Sequence, residues 1–537
     1  VGLSATSSIL HAIETRPTDA VIEIRSRGSV ASLSRDELIA RAGFAATRLT
    51  ELGVGRGDRV AFVMPTSATL LAGILGTWMV GGVTTCLGAG VPSRGRERMV
   101  EILRTASPRI VVGVGDALAA LRDHVPPPTE LLVASELHGF SSSSSSYRPQ
   151  GDDPAHLQFT SGTTGNPRGV VLRHEQLVAN VVASGARARF HGDDRLVSWL
   201  PLFHDMGFVG GVMGPLYFGM PLCLLATECF LARPSSWLEA ITEFRGTLSP
   251  GPTFAYDLLA TRTSDERLRG IDLGTWRYGW IGAEPVFAHV LERFASRFAP
   301  CGLGSHVLRP AYGLAESTLA VTMPAPGVST RVEWVDREVL RRDDVASPRP
   351  PDSASSVPIV GVGAAIDGAR IQIASGQGDV LGDRRQGRIL IAGPCVATSS
   401  LGDAWLQTDG WLDTGDLGFT HEGELFITGR TKDLLIRAGQ KIHPTEIEQA
   451  AVQAFGVRGR AAAFCELDPV RGREQIIVVV ESTNADDGRV EGAVRAAVAS
   501  ASGVQIDRVV ITRPGTIPLT TSGKVQRSLL RDRMGGQ

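Results

Sequence analysis

Residues 157–172 read LQFTSGTTGNPRGVVL: an apolar, strand-like run gives way to hydroxyl- and glycine-bearing residues, then Arg168, then a second apolar run. Glycine lets backbone N–H groups come close to an anion, and successive N–H groups form a nest for phosphate. Ser161, Thr163 and Thr164 add hydroxyl donors beside Gly162 and Gly165. The spacing G-x-x-x-x-G-K-[ST] is not matched, so this is not a Walker-type phosphate loop. The basic residues hold a second clue. Lysine occurs only at Lys432, Lys441 and Lys524, and every other basic side chain is arginine. A compact ammonium and a planar guanidinium are not interchangeable, so these few lysines are where charge chemistry is to be sought. Lys524 lies in a glycine-bearing turn ahead of a helical stretch. Other chemistries find less support. His204 and Asp205, in SWLPLFHDMGFVGG, read locally as a pair capping a helix start, and no G-x-S-x-G elbow accompanies them. Cys86, Cys223, Cys229, Cys301, Cys395 and Cys465 form no C-x-x-C pair; they read as buried reduced thiols rather than metal ligands.

Five blocks carry a resemblance: LQFTSGTTGNPRGVVL, HDMGFVGG, WIGAEPV with RPAYGLAEST, WLDTGDLGFTHEGELFITGRTKDLLIRAGQKIHPTEIE, and PLTTSGKVQRSLLR. Together they resemble the adenylate-forming superfamily of acyl-CoA synthetases, nonribosomal adenylation domains and luciferases, over nearly the whole chain. The resemblance implies ATP and Mg²⁺ as cofactors, and it implies residue roles. Thr160, Ser161, Gly162, Thr163, Thr164, Gly165 and Arg168 would cradle the β- and γ-phosphates, with arginine where the family usually has lysine. The backbone of Gly282, Ala283 and Glu284 would border the adenine, and Tyr312, followed by Gly313, would stack on it. Glu316 would hold Mg²⁺, Asp416 would accept the ribose hydroxyls, and Arg430 would contact ribose and phosphate. An aromatic face suits a purine, and a hard carboxylate suits Mg²⁺. His204 would line and gate the acyl pocket, Lys432 would be the hinge of a mobile C-terminal domain, and Lys524 would be the catalytic lysine.

Within the superfamily the chain is most similar to fatty acyl-AMP ligases, by HDMGFVGG, GAEPV, YGLAEST and the segment RVEWVDREVL…IVGVGAAIDGARIQI. That branch makes an acyl-AMP and passes the acyl group to the phosphopantetheine thiol of an acyl carrier protein. In that branch an insertion between subdomains disfavours CoA, and residues 331–358 lie where the resemblance would place it. No carrier domain follows Gln537, so the expected carrier protein acts in trans. IRAGQKIHPTEIE looks more like acyl- or aryl-CoA ligases, which keeps CoA open as the acceptor. An enzyme forming an amide or a lactone, and a non-enzymatic acyl-AMP-binding protein, are the other readings. Phe203, His204, Val209, Gly211 and Trp280 are expected to shape an apolar acyl pocket.

The elements that must position these residues alternate between strand and helix, which predicts α/β layers. Residues 32–53 predict an amphipathic helix opened by a Ser34–Glu37 capping box. DRVAFVM and PRIVVGVG predict buried strands. Residues 61–93 contain no charge and imitate a membrane span, but glycines and prolines punctuate them. They predict a core helix over about 67–80 and a strand at 83–87. The serine-rich 141–153 predicts a solvated linker, and a composition break falls near 429–433. A chain of 537 residues exceeds what one hydrophobic core holds. The expected architecture is a large N-terminal domain of several subdomains (1–429) and a small mobile α+β C-terminal domain (430–537). Hydrophobic content of 43%, charged content of 20% and net charge −2 describe an ordinary globular protein. They give no electrostatic case for nucleic acid or an anionic membrane. The N-terminal residues lack a signal-peptide pattern, so the chain is expected to be cytoplasmic, without stable membrane insertion.

Overall fold

The computed structural model describes residues 8–534 apart from 17–18, 89–92, 126, 142–146, 161–166, 402–408, 438–439, 455–456, 469–472, 484–486 and 520–524. Two large sheets carry the first part of the chain. One is six-stranded, ordered Glu130–Val133, Ile110–Gly113, Arg59–Val63, Val83–Leu87, Pro154–Thr160, Arg168–Arg173. It is parallel except for the last pair, which is antiparallel with Thr160 opposite Arg168. The other is seven-stranded, ordered Leu308–Pro310, Tyr278–Gly282, Leu248–Pro252, Leu196–Ser198, Leu222–Leu225, Val21–Ser26, Ser29–Ser34. It is parallel except for the final hairpin. Parallel sheets bury both faces, and Arg59–Val63, Ile110–Gly113 and Leu222–Leu225 are accordingly near-continuous buried apolar runs.

The helix that joins Arg59–Val63 to Val83–Leu87 explains the charge-free stretch. Ala68–Met79 is capped by the Ser67 hydroxyl, and its residues from Leu70 to Met79 are all buried. Gly76 lets it press against the helix Arg35–Glu51: a Cβ there would lie 2.7 Å from Ala42 O and 2.9 Å from Ala45 Cβ. Among the described residues, no helix is long and apolar enough to cross a membrane. The capping box forms, with Ser34 Oγ accepting from Glu37 N at 3.1 Å and Glu37 Oε2 accepting from Ser34 N at 2.7 Å. The predicted helix start is corrected, because Ser32 and Leu33 belong to the edge strand Ser29–Ser34. The linker reading is corrected too. Asp153 is buried and accepts from Tyr147 Oη at 2.6 Å and Gln150 N at 2.7 Å, so the segment after residue 146 is tied down.

Further along, Arg370–Ala374, Gly387–Ala392, Leu412–His421 and Glu424–Arg430 form an antiparallel sheet. Val332–Asp336 pairs with Ser356–Val360, and the helix Arg337–Asp343 follows the first of these strands. This unit has a small core of Val335, Leu340, Ala346 and Ile359, shared with Phe419 and Phe426. The last hundred residues build separate cores around the strands Val457–Asp468, Arg473–Ser482 and Arg508–Thr512. They meet the 332–360 unit through buried Arg341, which reaches Glu446 at 2.6 Å and Ser502 O at 3.0 Å, and through Lys441 to Asp344 at 2.5 Å.

Two histidines sit inside the large domain. His156 stacks on Phe208 at 3.8 Å between ring centroids, and His174 meets Trp78 edge-on at 5.2 Å. Burial pushes the His156 pKa down to about 3 and the His174 pKa down to about 4. Both rings are neutral in the folded and the unfolded chain above pH ~6.5, so they cost nothing there. As pH falls below that value the unfolded chain takes up protons the folded chain refuses, and stability is lost down to the folded pKa. Each ring contributes a slope on the order of 1 kcal/mol per pH unit between pH ~6 and ~4. We expect the urea midpoint of His174→Gln, lower overall, to fall less steeply across this window than that of the parent. Parallel slopes in the two proteins would contradict the buried neutral ring.

Candidate active site

In open α/β sheets the carboxyl ends of parallel strands face the ligand crevice. Here the strand Pro154–Thr160 ends at the 161–166 segment, Tyr278–Gly282 runs into Ala283 and Glu284, and Leu308–Pro310 is followed by Tyr312. These ends open on one cavity of about 1430 Å³. Thr160, Arg168, His204, Glu284, Tyr312 and Glu316 lie on its wall. So do Gly282, Ala283, Gly313, Asp416, Arg430 and Lys432. Ser161 to Gly165 and Lys524 lie outside the described residues. Their neighbours do not: Thr160 and Arg168 flank the first segment, Val525 and Gln526 follow the second, and all four border this cavity. With its amide oriented to satisfy both groups, Gln526 accepts from Arg98 Nη1 at 3.2 Å and donates to Leu519 O at 3.2 Å. This places the chain beside residue 524 against the helix Ser93–Ala106 of the large domain.

Asp416 is the best-defined polar centre. It is buried, with Tyr312 Oη donating to Oδ2 at 2.7 Å and Arg430 Nε donating to Oδ1 at 2.7 Å. The antiparallel register that sets Asp416 opposite Arg430 brings the latter pair together. The carboxylate keeps Arg430 firmly protonated, and burial, then the Asp416 charge, pushes the Tyr312 phenol well above its ordinary pKa. A carboxylate offers about four lone-pair sites, so Asp416 retains acceptor capacity for hydroxyls of a ligand. Lys432, in the turn Thr431–Asp433 just beyond Arg430, has its pKa lowered by desolvation, then by the Arg430 charge.

Glu316 is half-buried, in the turn Ala315–Ser317 on the cavity wall. Mg²⁺ binds through one or two carboxylates plus water and substrate phosphates, so a hard carboxylate on this wall fits it. Gly313 has no room for a side chain, since a Cβ would lie 1.9 Å from Leu319 O. The Glu284 side chain also serves the fold, its Oε2 accepting from Phe254 N at 3.0 Å at the start of the helix Thr253–Arg262. His204 Nδ1 lies 2.7 Å from Asp205 Oδ1, and Asp205 also accepts from Met206 N at 2.7 Å. Asp205 thus caps the π-helix Met206–Met213, while the imidazole borders the cavity. Phe203, Val209 and Trp280 border it as well, but Gly211 instead faces Ser198, whose Oγ would lie 2.8 Å from an added Cβ.

Sequence reasoning missed two groups here. His443 is buried against the strand Glu424–Arg430, where a Cβ on Gly429 would lie 2.4 Å from its Nδ1. Arg527 joins both oxygens of Glu448 at 2.7 and 2.6 Å and reaches Asp433 at 2.9 Å. It thereby ties the helix that follows residue 524 to the turn holding Lys432. The first arginine of RSLLR and a histidine before a helix-starting proline gave no local signal of these contacts.

Comparison with known proteins agrees with this geometry. Residues 10–400 match the family model described as AMP-binding enzyme. A putative acyl-CoA synthetase of Caulobacter vibrioides is 33% identical over 92% of this chain and 88% of its own length. The medium-chain-fatty-acid–[acyl-carrier-protein] ligase JamA of Moorena producens is 35% identical over 71% of this chain and 67% of its own. A solved fatty acyl-adenylate ligase, from work on the E. coli and L. pneumophila enzymes, superposes with a TM-score of 0.91. It is 32% identical, over 98% of this chain and 97% of that one. A family match across most of the chain, with a relative of this identity along nearly its full length, places this protein among the AMP-binding, adenylate-forming enzymes.

Proposed function

We propose that this enzyme activates a fatty acid with ATP to acyl-AMP and pyrophosphate, and then transfers the acyl group to the phosphopantetheine thiol of an acyl carrier protein. One observation carries the reading: the flanks of the glycine-hydroxyl segment, the Tyr312–Asp416–Arg430 centre and the chain beside Lys524 border one cavity. In the first step a carboxylate oxygen bonds to the α-phosphorus and the bond to pyrophosphate breaks. In the second a thiol displaces AMP, giving a thioester. The approach of two anions is the electrostatic obstacle.

This chain's groups address that obstacle in a definite order. Asp416 would fix the ribose, Tyr312 would cover the adenine, and Arg168 with the 161–165 backbone would hold the outer phosphates. Glu316 would hold Mg²⁺, which when bound neutralises phosphate charge. Lys524 would meet the charge that develops as the carboxylate reaches the phosphorus. A unit charge at about 4 Å is worth roughly 4 kcal/mol at an effective dielectric of 20, or about three decades of rate if it acts only in the transition state. Apolar Phe203, Val209 and Trp280 would take the acyl chain, with His204 at its mouth.

The domain division is proposed at 429/430, with 331–358 as the insertion and Lys432 as the hinge. Arg527 would make the hinge turn and the chain beside Lys524 rotate as one body. For the acceptor, the JamA resemblance and the packing of the 332–360 unit against the small domain support a carrier protein. The Caulobacter relative favours CoA as the second reading. A cytoplasmic location follows from the need for ATP.

Three outcomes test this. Lys524→Ala is expected to lose about three decades of acid-dependent pyrophosphate exchange and to keep ATP binding by calorimetry; near-normal exchange would remove the lysine from the chemistry. Lys432→Pro is expected to spare exchange and slow thioester formation, whereas equal loss of both steps would argue against a hinge there. Offered both acceptors, the enzyme is expected to acylate holo-carrier protein and leave CoA largely untouched; efficient acyl-CoA formation would select the second reading.

A further inference from the structure

The turn that carries Glu316 is strained. Thr318 has φ 67° and ψ −54°, and Leu319 N donates to Ser317 O at 2.7 Å. This is a γ-turn with positive φ at its centre, a rare and strained conformation, here imposed on a β-branched residue. Such strain persists only where the surroundings over-determine it.

The surroundings do so from two sides. Asn180, fully buried in the helix His174–Arg187, donates to Ser317 O at 3.0 Å and to Ala320 O at 2.9 Å, and accepts from Ala320 N at 3.2 Å. One side chain therefore grips the chain on both sides of Thr318. Opposite, Thr318 Oγ1 donates to Cys395 O at 2.7 Å, and Ala397 N donates to Glu316 O at 2.7 Å. These bonds converge on the five residues from the cavity-wall carboxylate Glu316 to Ala320.

We infer that Asn180 and Thr318 are positioning residues: together they hold the strained turn that fixes the Glu316 carboxylate toward the metal–phosphate side of the cavity. The inference rests on the reading of Glu316 as the Mg²⁺-holding carboxylate. Releasing the turn lets Glu316 sample positions away from the metal, so metal–nucleotide binding weakens while the fold persists.

The test measures, in the full chain, the free Mg²⁺ giving half-maximal pyrophosphate exchange at saturating ATP. Calorimetric binding of Mn²⁺·ATP against metal-free ATP supplies a readout independent of turnover. Asn180→Ala and Thr318→Gly are expected to raise the Mg²⁺ requirement about tenfold and to abolish the preference for the metal complex. Thr318→Ser, which keeps the hydroxyl bond to Cys395 O, is expected to restore both. Thr318→Ala, which keeps a Cβ, takes the place of the glycine variant if that one does not fold. Unchanged metal dependence in folded Asn180 and Thr318 variants, with a shift in Glu316→Gln, would overturn the positioning role and leave the Glu316 reading standing. An unshifted Glu316→Gln would overturn both.

Discussion

The site depends on a buried carboxylate held by one partner far away along the chain and one on the neighbouring strand. Asp416 takes one hydrogen bond from Tyr312 and one from Arg430, and so joins the segment after the large parallel sheet to the strand that leads into the proposed hinge. A charge removed from water is costly unless it is paired and hydrogen-bonded, and breaking such a pair leaves the other group stranded. The Tyr312 bond ties the antiparallel sheet to the large domain, and the Arg430 bond lies within that sheet at the end of its last strand. A nucleotide bound at Asp416 would be sensed by both, which would couple its occupancy to the proposed domain rotation.

The contacts beyond the proposed hinge extend that logic. Arg527 bridges Glu448 and Asp433, so the end of the turn that holds Lys432 and the helix after residue 524 share one ion-pair network. Arg341, almost fully buried, spans from the 332–360 unit to Glu446 and the Ser502 carbonyl. Removing one partner of a buried pair costs far more than an exposed pair ever contributes. Together with Lys441 to Asp344, these polar contacts link the small domain to the 332–360 unit.

What could be read from the residues followed the range of the physics involved. The α/β layering, the Ser34–Glu37 box and the buried helix at 68–79 were legible because each is set by neighbours a few positions apart. The family and its acyl-adenylate chemistry were legible because the motif blocks hold chemistry-bearing residues at fixed spacing. Long-range contacts were not. Asn180 reads as one polar residue in an apolar helix, and its partners lie 137 and 140 positions away. Gly211 reads as a pocket residue, but its smallness serves packing on Ser198. Glu284 stands out in sequence for its backbone, while its side chain caps a helix 30 positions earlier. Part of 141–153 reads as solvated because composition does not reveal that Asp153 collects three donors.

The central claim is that a carboxylate oxygen of the acid bonds to the α-phosphorus within this cavity. It is tested most directly by following the label from an acid carrying ¹⁸O in both carboxylate positions through one turnover with ATP and a thiol acceptor. The account predicts one labelled oxygen in the AMP released and none in pyrophosphate. Unlabelled AMP, or label appearing in inorganic phosphate, would contradict it.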